Sequence, residues 1–329
     1  MVPDTENDYF TRKENPFLLD ITDKDEYTIE EYIDIQEKLE LRNKLIDPFL
    51  DTLYPKWGMR TTLEEIKRRC TKGLNAKIID TINPVLPEKK LHKIGDGGDK
   101  KRCFVCCTPL LDNRCEYSKS IIQSLEEVGF NGHFLILNGG FPNPTGTEMK
   151  YVGVPYSFKI FMMLEAQKLG FDKVIWIDAA CYAVNNVDRL FDMLGEYDTV
   201  FRAFYPNVFA PDCCINNCFP KTVELLNSIV NQDVRSDTNI NSIVFGLNLS
   251  SEKMKSFIEE YYEMVKSGLP FLTSFPEEIV FSSLMNKKKY KYVFDSMPKM
   301  KTLYVNEYDM PREVAKSVGY YFTQRHYTA

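Results

Sequence analysis

The sequence is poor in histidine and lacks the short motifs of several large enzyme classes. Three histidines occur in 329 residues, too few for most catalytic triads or histidine-rich metal sites. The chain contains no GxGxxG after a predicted strand, no GxxxxGKS/T and no GxSxG. Dinucleotide-binding Rossmann, P-loop and α/β-hydrolase chemistry therefore lose their main sequence support.

Membrane and secretion signals are missing as well. No run of residues approaches the roughly 18 apolar positions of a membrane span, and the acidic, polar N-terminus is unlike a signal peptide. Nine cysteines in such a chain indicate reduced thiols rather than a disulfide framework. The cysteines at 103–107 and 213–218 lack the paired CxxC arms of a structural zinc site. We expect a cytoplasmic protein without a membrane span.

The composition is that of an ordinary globular chain. Hydrophobic residues make up 44% of the sequence and charged residues 27%, so extensive disorder is not expected. The net charge is −6 and the isoelectric point is about 5.4, which argues against a nucleic-acid binder that works by general attraction to phosphate. A length of 329 residues suits one large α/β domain with an extension.

The N-terminal part of the chain carries helical patterns. Apolar residues recur at helical spacing over 28–54, and we expect Pro48 to break that helix. A second short helix is predicted over 61–70, where Thr62 has the position of an N-cap and Glu65 that of its capping-box partner. Neither helix contains a pattern that suggests chemistry.

A change of composition indicates a domain boundary near residue 100. Pro, Gly and Lys are abundant over 83–101, which we interpret as a linker. The predicted domains are a helical N-terminal extension with its linker at 1–100 and a main domain at 101–329. The extension would dock a ligand, mediate dimerisation or cover one face of the main domain.

From Cys103 onwards, apolar strands alternate with amphipathic helices. The predicted strands are 103–107, 133–137, 173–178, 198–201 and 242–248. The predicted helices are 118–129, 157–170, 251–268 and 276–286, with Pro276 in the first turn of the last. Continuously apolar strands separated by such helices indicate a mostly parallel sheet that helices cover on both faces.

Polar or turn-rich segments follow three of the predicted strands. They are TPLLDNR at 108–114, NGG at 138–140 and DAA at 178–180. In open α/β sheets, ligands bind beyond the carboxyl ends of the strands, so these segments are the predicted site. The third begins with Asp178, at the end of an unbroken apolar run. This aspartate either binds a ligand or caps the turn after the strand.

The order of these pieces resembles a known family. In VIWIDAACYAVNNVDRLF, an apolar strand and an aspartate precede a helix start of the type NVDRLF, and the blocks NSIVFGLNLSS and PEEIVFSSLMN follow. Over 103–286, these segments together resemble the GT-A-fold nucleotide-sugar glycosyltransferases, and within them the glycogenin-like group in particular. The resemblance implies an α/β fold class, a GT-A-like single domain with a mostly parallel central sheet flanked by helices, plus the helical N-terminal extension.

The resemblance also implies roles for individual residues. Thr108 and Tyr117 would hold the nucleoside of the donor, and Lys159 would lie near the donor at the start of a helix. Glu277 and Glu278 stand where the family often has an acidic residue that faces the acceptor, which makes them candidate general bases. Each residue also has a structural alternative. Tyr117 is then a packing residue, Lys159 a solvated helix residue, and the glutamates an acidic first helical turn.

The chain departs from the family at the metal site. Asp178 stands at the first carboxylate of the family's Asp-x-Asp motif, but Ala180 replaces the second. Mn²⁺ or Mg²⁺ on Asp178 would neutralise the donor diphosphate, and His326 resembles a late histidine that ligates metal in some relatives. Alternatively, cationic side chains such as Lys159 and Arg114 take the place of the metal.

The implied function is transfer of a sugar from a nucleotide-diphosphate donor to a hydroxyl of a glycan or protein acceptor. The rival from another class is a catalytically inactive module that kept the fold and binds a nucleotide or glycan. A sugar-phosphate nucleotidyltransferase would need a glycine-rich loop after the first strand, and TPLLDNR does not supply one. No nucleic-acid partner is expected.

Overall fold

The computed structural model describes residues 19–21, 24, 27–53, 63–64, 66–68, 88–98, 101–108, 114–138, 151, 153–204, 218, 220–273, 275–298 and 300–325. Its strands are β1 Glu88–Ile94, β2 Arg102–Thr108, β3 Gly132–Asn138, β4 Lys173–Ile177, β5 Cys181–Ala183, β6 Thr199–Phe204, β7 Asn239–Asn248, β8 Tyr304–Asn306 and β9 Phe322–Gln324. Its α-helices include α1 Ile29–Leu53, α2 Arg114–Glu127, α3 Phe158–Lys168, α4 Asp188–Tyr197, α5 Pro220–Val230, α6 Glu252–Ser267, α7 Pro276–Asn286, α8 Lys288–Ser296 and α9 Arg312–Ser317. Among the described residues, no helix combines the length and apolarity that a membrane crossing requires.

A six-stranded sheet in the order β1-β3-β2-β4-β7-β6 forms the centre of the molecule. Its middle strands β3, β2 and β4 are parallel neighbours, whereas β1 pairs antiparallel with β3 and β7 pairs antiparallel with β4. Because β6 is antiparallel to β7, it runs in the same direction as β4. Two strands are therefore reversed relative to the other four. The predicted α/β class with a mostly parallel sheet is confirmed.

The predicted strands and helices of the main domain are confirmed, with shifted bounds. Strands β2 and β4 are buried almost throughout, as their unbroken apolar sequences predict. The helices before Gly129 and Gly170 end at these glycines, whose φ angles of 74° and 92° lie in the left-handed region that favours glycine. The packed core lies between this sheet and its helices.

Helix α7 is held against β7 by aromatic contacts. The ring centroid of Phe281 lies 4.9 Å from that of Phe245 on β7 and 5.3 Å from that of Phe201 on β6. All residues of α7 are buried. These contacts hold α7, whose first turn carries Glu277 and Glu278, against β7, the neighbour of β4.

Part of the predicted linker is a strand. Residues of β1 pair with β3 from Glu88 opposite Asn138 to Ile94 opposite Gly132. Interpreting 88–94 as linker is therefore wrong. The side chains of β1 are mostly exposed, since it is an edge strand, and charged residues such as Lys89 and Lys90 are typical of such edges. These charged residues interrupt the apolar pattern from which a strand is predicted in a sequence. The rest of the division at residue 100 stays a prediction.

Pro48 does not break the N-terminal helix, contrary to expectation. Helix α1 runs through it without interruption. Ile46 and Leu50 on either side are fully buried in the core, and this burial offsets the backbone hydrogen bond that a proline removes. The second predicted helix agrees with the helical residues at 63–64 and 66–68. Its predicted capping pair, Thr62 and Glu65, lies outside the described residues.

A second, three-stranded sheet in the order β5-β9-β8 supports the turn after β4. Strand β9 lies antiparallel to β5, so that Cys181 faces Gln324, and parallel to β8. Just beyond β9, the backbone N–H of Arg325 donates to the carbonyl oxygen of Ala180 at 2.9 Å. The segment after Asp178 is thus held by a strand from much later in the chain.

Candidate functional site

The candidate site lies at the carboxyl ends of the central strands. Thr108 ends β2, Asn138 ends β3 and Asp178 follows β4 directly. Strand β2 lies between its parallel neighbours β3 and β4, so the strand order reverses at β2. Ligands of open α/β sheets bind at such places.

Asp178 is held in one orientation by two donors on its Oδ1 atom. The indole Nε1–H of Trp176 donates to Asp178 Oδ1 at 2.7 Å, and Lys159 Nζ lies 3.1 Å from the same oxygen. The backbone is fixed too, because Asp178 N donates to the carbonyl oxygen of Ile243 at 2.9 Å. The side chain of Asp178 remains 27% exposed. The side chain of Asp178 is thus oriented by Trp176 and Lys159, and its role toward a ligand stays a prediction.

Lys159 lies at the centre of a buried polar cluster. Its side chain is 6% exposed, and Nζ lies 2.9 Å from Glu277 Oε1 and donates to the carbonyl oxygen and Oγ of Ser242 at 3.0 and 3.1 Å. Together with Asp178 Oδ1, four oxygens surround an ammonium that has three N–H bonds. The alternative of a solvated helix residue is therefore wrong. Contact with a donor phosphate would require one of these oxygens to be exchanged.

Glu277 and Glu278 face inward to the same cluster. Ser242 Oγ donates to Glu277 Oε1 at 2.7 Å, and the backbone N–H of Ser242 donates to Glu278 Oε1 at 3.1 Å. Both glutamates lie in the first turn of α7, where the positive end of the helix favours negative charge. We name Lys159, Asp178, Ser242, Glu277 and Glu278 the Lys159 cluster. The predicted role of the glutamates as bases facing an acceptor stays a prediction.

The cluster sets one ammonium against three carboxylates. Burial opposes the charge of Lys159, but Asp178 and Glu277 outweigh burial and hold the pKa of Lys159 above its ordinary value. Burial raises the pKa of Asp178, while the Lys159 ammonium and the Trp176 hydrogen bond oppose that rise. Such a group of buried charges is costly unless every partner is present. The cluster is therefore an electrostatic unit rather than a set of independent residues.

The residues predicted to bind the nucleoside lie near the sheet edge but outside the Lys159 cluster. Thr108 is fully buried, and its hydroxyl donates to Asn138 Oδ1 at 2.6 Å, which ties the ends of β2 and β3 together. Arg114 is the first residue of α2, and Tyr117, one turn later, is partly buried. Their roles toward a donor stay predictions.

The Lys159 cluster, as it stands, does not suit Mn²⁺ or Mg²⁺. Its oxygens are the right type, but Lys159 Nζ lies among them, 2.9 Å from Glu277 Oε1 and 3.1 Å from Asp178 Oδ1. Ala180 is 1% exposed and adds no ligand atom from its side chain. His326 lies outside the described residues. Within the described ranges, no group of three or more His, Cys, Asp or Glu side chains is arranged for a metal ion.

Sequence reasoning missed two members of the site, Trp176 and Ser242. Trp176 is two residues before Asp178, and residues at this spacing on a strand share a face. That periodicity could have identified it. Ser242 has no comparable signal, because its importance comes from contacts with Lys159 and Glu277, which are 83 and 35 positions away.

The cysteines of β2 are buried thiols, as predicted. Cys103, Cys106 and Cys107 are at most 7% exposed, and none of them forms a disulfide. Burial raises the pKa of the Cys107 thiol to about 12 and raises that of Cys106 as well. These groups are neutral near pH 7 and act as small apolar residues.

A separate buried acid, Asp237, should make stability depend on pH. Burial raises its pKa from 3.8 to about 7, and only its Oδ1 has a described hydrogen bond, from Gln232 Nε2 at 2.8 Å. Because the folded pKa lies above the unfolded value, the folded state binds this proton more tightly. Its contribution to stability is therefore largest below pH 4 and is lost as pH rises toward 7.

The Asp237→Asn variant should lose this pH dependence. We expect it to be more stable than the wild type at pH 8 and similar to it at pH 4.5, as measured by urea unfolding. Asp309→Asn, at an exposed position, is the control and should change neither value. The prediction would be contradicted if the free energies of unfolding of wild type and Asp237→Asn differed by the same amount at both pH values.

Comparison with known proteins finds similarity in structure but not in sequence. No protein-family model matches the chain, and no curated protein matches it. The fold is similar to the galactosyltransferase LgtC in complex with donor and acceptor sugar analogues, with 13% identity, 69% of this chain and 88% of that chain covered, and a TM-score of 0.38. It is also similar to mouse xyloside xylosyltransferase 1 in its apo form (9% identity, 68% and 97% covered, TM-score 0.40). A third similar structure is a glycosyltransferase involved in glycosylation of the major capsid of PBCV-1 (12% identity, 69% and 94% covered, TM-score 0.35). No residue role is carried over from these structures.

Proposed function

We propose that this chain is a glycosyltransferase that moves a sugar, a hexose or a related one, from a nucleotide-diphosphate donor to a hydroxyl of a glycan or protein acceptor. The proposal rests on Asp178. This carboxylate follows the central strand β4, is oriented by Trp176 and Lys159, and keeps 27% of its side chain exposed. A rigidly held acid at the carboxyl edge of the sheet is a position at which open α/β folds bind ligands.

Asp178 would lie at the donor, beside the bond between the sugar and the diphosphate, and Thr108 and Tyr117 would border the nucleoside. In the transfer, the bond between the anomeric carbon and the diphosphate oxygen breaks, a bond to the acceptor oxygen forms, and the proton of the acceptor hydroxyl passes to the departing diphosphate or to water. Lys159 would keep Asp178 in place and partly offset the negative charge of the three carboxylates. Glu277 and Glu278 would position Lys159, because their carboxylates point into the Lys159 cluster.

A second candidate is a catalytically inactive module that binds a nucleotide or glycan. The observation in its favour is that Ala180 places a buried methyl group where the family that the sequence resembles has its second carboxylate. Such a module would bind a ligand at the same edge of the sheet without turnover. The two candidates therefore differ in product formation and not in binding.

A thermal-shift screen against UDP-, GDP-, dTDP- and CMP-sugars tests the proposal. We expect one nucleotide class to raise the unfolding temperature, because a ligand at about 100 times its Kd stabilises the folded state by about 2.7 kcal/mol. The donor that gives a shift is then incubated with acceptors, and released nucleotide is quantified. Release that depends on acceptor supports a transferase.

The control in this screen is the free nucleotide without its sugar. A donor that stabilises the chain and is never consumed, across a broad acceptor panel, would favour the binding module. The absence of any shift with every donor would contradict the transferase and a nucleotide-binding module, and would leave a glycan-binding module. The chain would then be tested with glycans alone.

A further inference from the structure

We infer that the ammonium of Lys159 is the resident cation of the Lys159 cluster, and that the wild-type chain therefore does not bind a divalent metal ion between Asp178 and Glu277. The inference rests on the proposed function for the role of the site. Its test is a measurement of ion binding and does not need turnover. A failure of this inference is thus distinguishable from a failure of the proposed function.

The oxygens around Lys159 Nζ are those that hard cations prefer. Glu277 Oε1 lies at 2.9 Å, the Ser242 carbonyl oxygen at 3.0 Å, and Asp178 Oδ1 and Ser242 Oγ at 3.1 Å. Carboxylate, carbonyl and hydroxyl oxygens bind Ca²⁺ and Mg²⁺ at about 2.0–2.6 Å. An ion at such distances from two or more of these atoms would overlap the space that the ammonium occupies. Lys159 and a divalent ion are therefore mutually exclusive.

The ammonium is also confined to this place. The Lys159 side chain is 6% exposed, and Nζ lies 5.5 Å from the centre of the Trp176 ring. To reach solvent, it would have to leave Asp178 and Glu277, and each carboxylate would then lose its positively charged partner in a largely buried cluster. A metal ion would have to displace this ammonium before it could bind. The cost of that displacement opposes metal binding in the wild type.

The turn after Asp178 does not compensate for the exclusion of metal. Ala180 supplies a buried methyl group, and its carbonyl oxygen already accepts the N–H of Arg325 at 2.9 Å. The methyl group offers no ligand atom at the position of the family's second carboxylate, and the carbonyl oxygen is engaged by Arg325. The loss of that carboxylate and the presence of the Lys159 ammonium therefore both oppose metal binding.

Electron paramagnetic resonance of Mn²⁺ tests the inference on the full chain. The quantity measured is the difference in Mn²⁺ binding between a chain and the same chain with Asp178→Asn. Ions bound elsewhere on the surface contribute equally to both chains and cancel. We expect no such difference in the wild type. In Lys159→Ala the oxygens lose their resident cation, and we expect Mn²⁺ affinity at the cluster to rise by at least about a hundredfold. Adding Asp178→Asn to Lys159→Ala should abolish the gained site.

Lys168→Ala is the matched control. This lysine is in the same helix and pairs with Glu165 at 2.7 Å, but its side chain is 47% exposed. It should bind Mn²⁺ no better than the wild type. The gained site should also appear as a rise in unfolding temperature of Lys159→Ala with Mn²⁺, without a rise in the wild type. If Lys159→Ala does not fold, Lys159→Gln is used in its place.

Two results would overturn the inference. One is saturable Mn²⁺ binding by the wild type that Asp178→Asn removes. The other is a folded Lys159→Ala, or Lys159→Gln, chain without a gained site, which would show that the carboxylates are not held open for a cation. A chain that transfers no sugar but shows the expected Mn²⁺ pattern would contradict the proposed function alone.

Discussion

Replacing Asp178 by asparagine is expected to lower kcat/KM for sugar transfer by about 10²–10³-fold. The amide oxygen can still accept from Trp176, so the shape of the turn is kept, while the charge beside Lys159 is lost. The negative charge of Asp178 can stabilise the positive charge that develops on the sugar ring as the bond to the diphosphate breaks, and this interaction then disappears from the transition state. Initial rates with the donor found in the thermal-shift screen measure the effect.

Asp188→Asn serves as the control for Asp178→Asn. Asp188 is an aspartate of the same region, pairs with Arg102 at 2.9 Å and is 43% exposed, away from the Lys159 cluster. It should keep the activity of the wild type. Full activity in a folded Asp178→Asn chain would mean that this carboxylate has no part in transfer. Donor binding by the same variant, with turnover lost, would separate a catalytic role from a binding role.

Replacing Lys159 by methionine is expected to lower the free energy of unfolding by about 3–5 kcal/mol. Methionine keeps most of the volume of the side chain, so the loss comes from charge rather than from packing. Asp178 and Glu277 would remain in a largely buried cluster without the ammonium that lies 3.1 and 2.9 Å from them. Urea unfolding at neutral pH measures the difference.

The same substitution at Lys168 should cost less than about 1 kcal/mol, because its ion pair with Glu165 is partly solvated. Combining Lys159→Met with Glu277→Gln should cost less than the sum of the two single variants, since each removes a partner of the other. Equal losses at Lys159 and Lys168 would contradict the view of the cluster as a buried electrostatic unit.

The parts of the fold that sequence could predict are those with a strong local pattern. Strands β2, β3 and β4 are apolar runs, and α6 and α7 have helical periodicity closed by glycine or opened by proline. Their order along the chain was enough to place Asp178 at a strand end. Strands β5, β8 and β9 have three residues each, which is too short for any periodicity to be visible.

The candidate site could be predicted only as separate residues. The sequence identifies Lys159, Asp178, Glu277 and Glu278 one by one, but nothing local indicates that one ammonium contacts a carboxylate after β4 and another on α7. Lys159 and Glu277 are more than a hundred positions apart, and their contact depends on how α7 packs against β7. The prediction that the glutamates face an acceptor therefore depends on the resemblance to a family, whereas the structure shows which residues the glutamates contact.

The pairing of β9 with β5 bears on how the site is assembled during synthesis. Cys181 and Gln324 are about 140 residues apart, and Arg325 completes the contact at Ala180. A nascent chain that has not yet extended beyond Gln324 lacks the strand that supports the turn after Asp178. Contacts of such long sequence separation form slowly. The central sheet can thus collapse first, and the turn that carries the proposed chemistry acquires its final support only after nearly all of the described chain has left the ribosome.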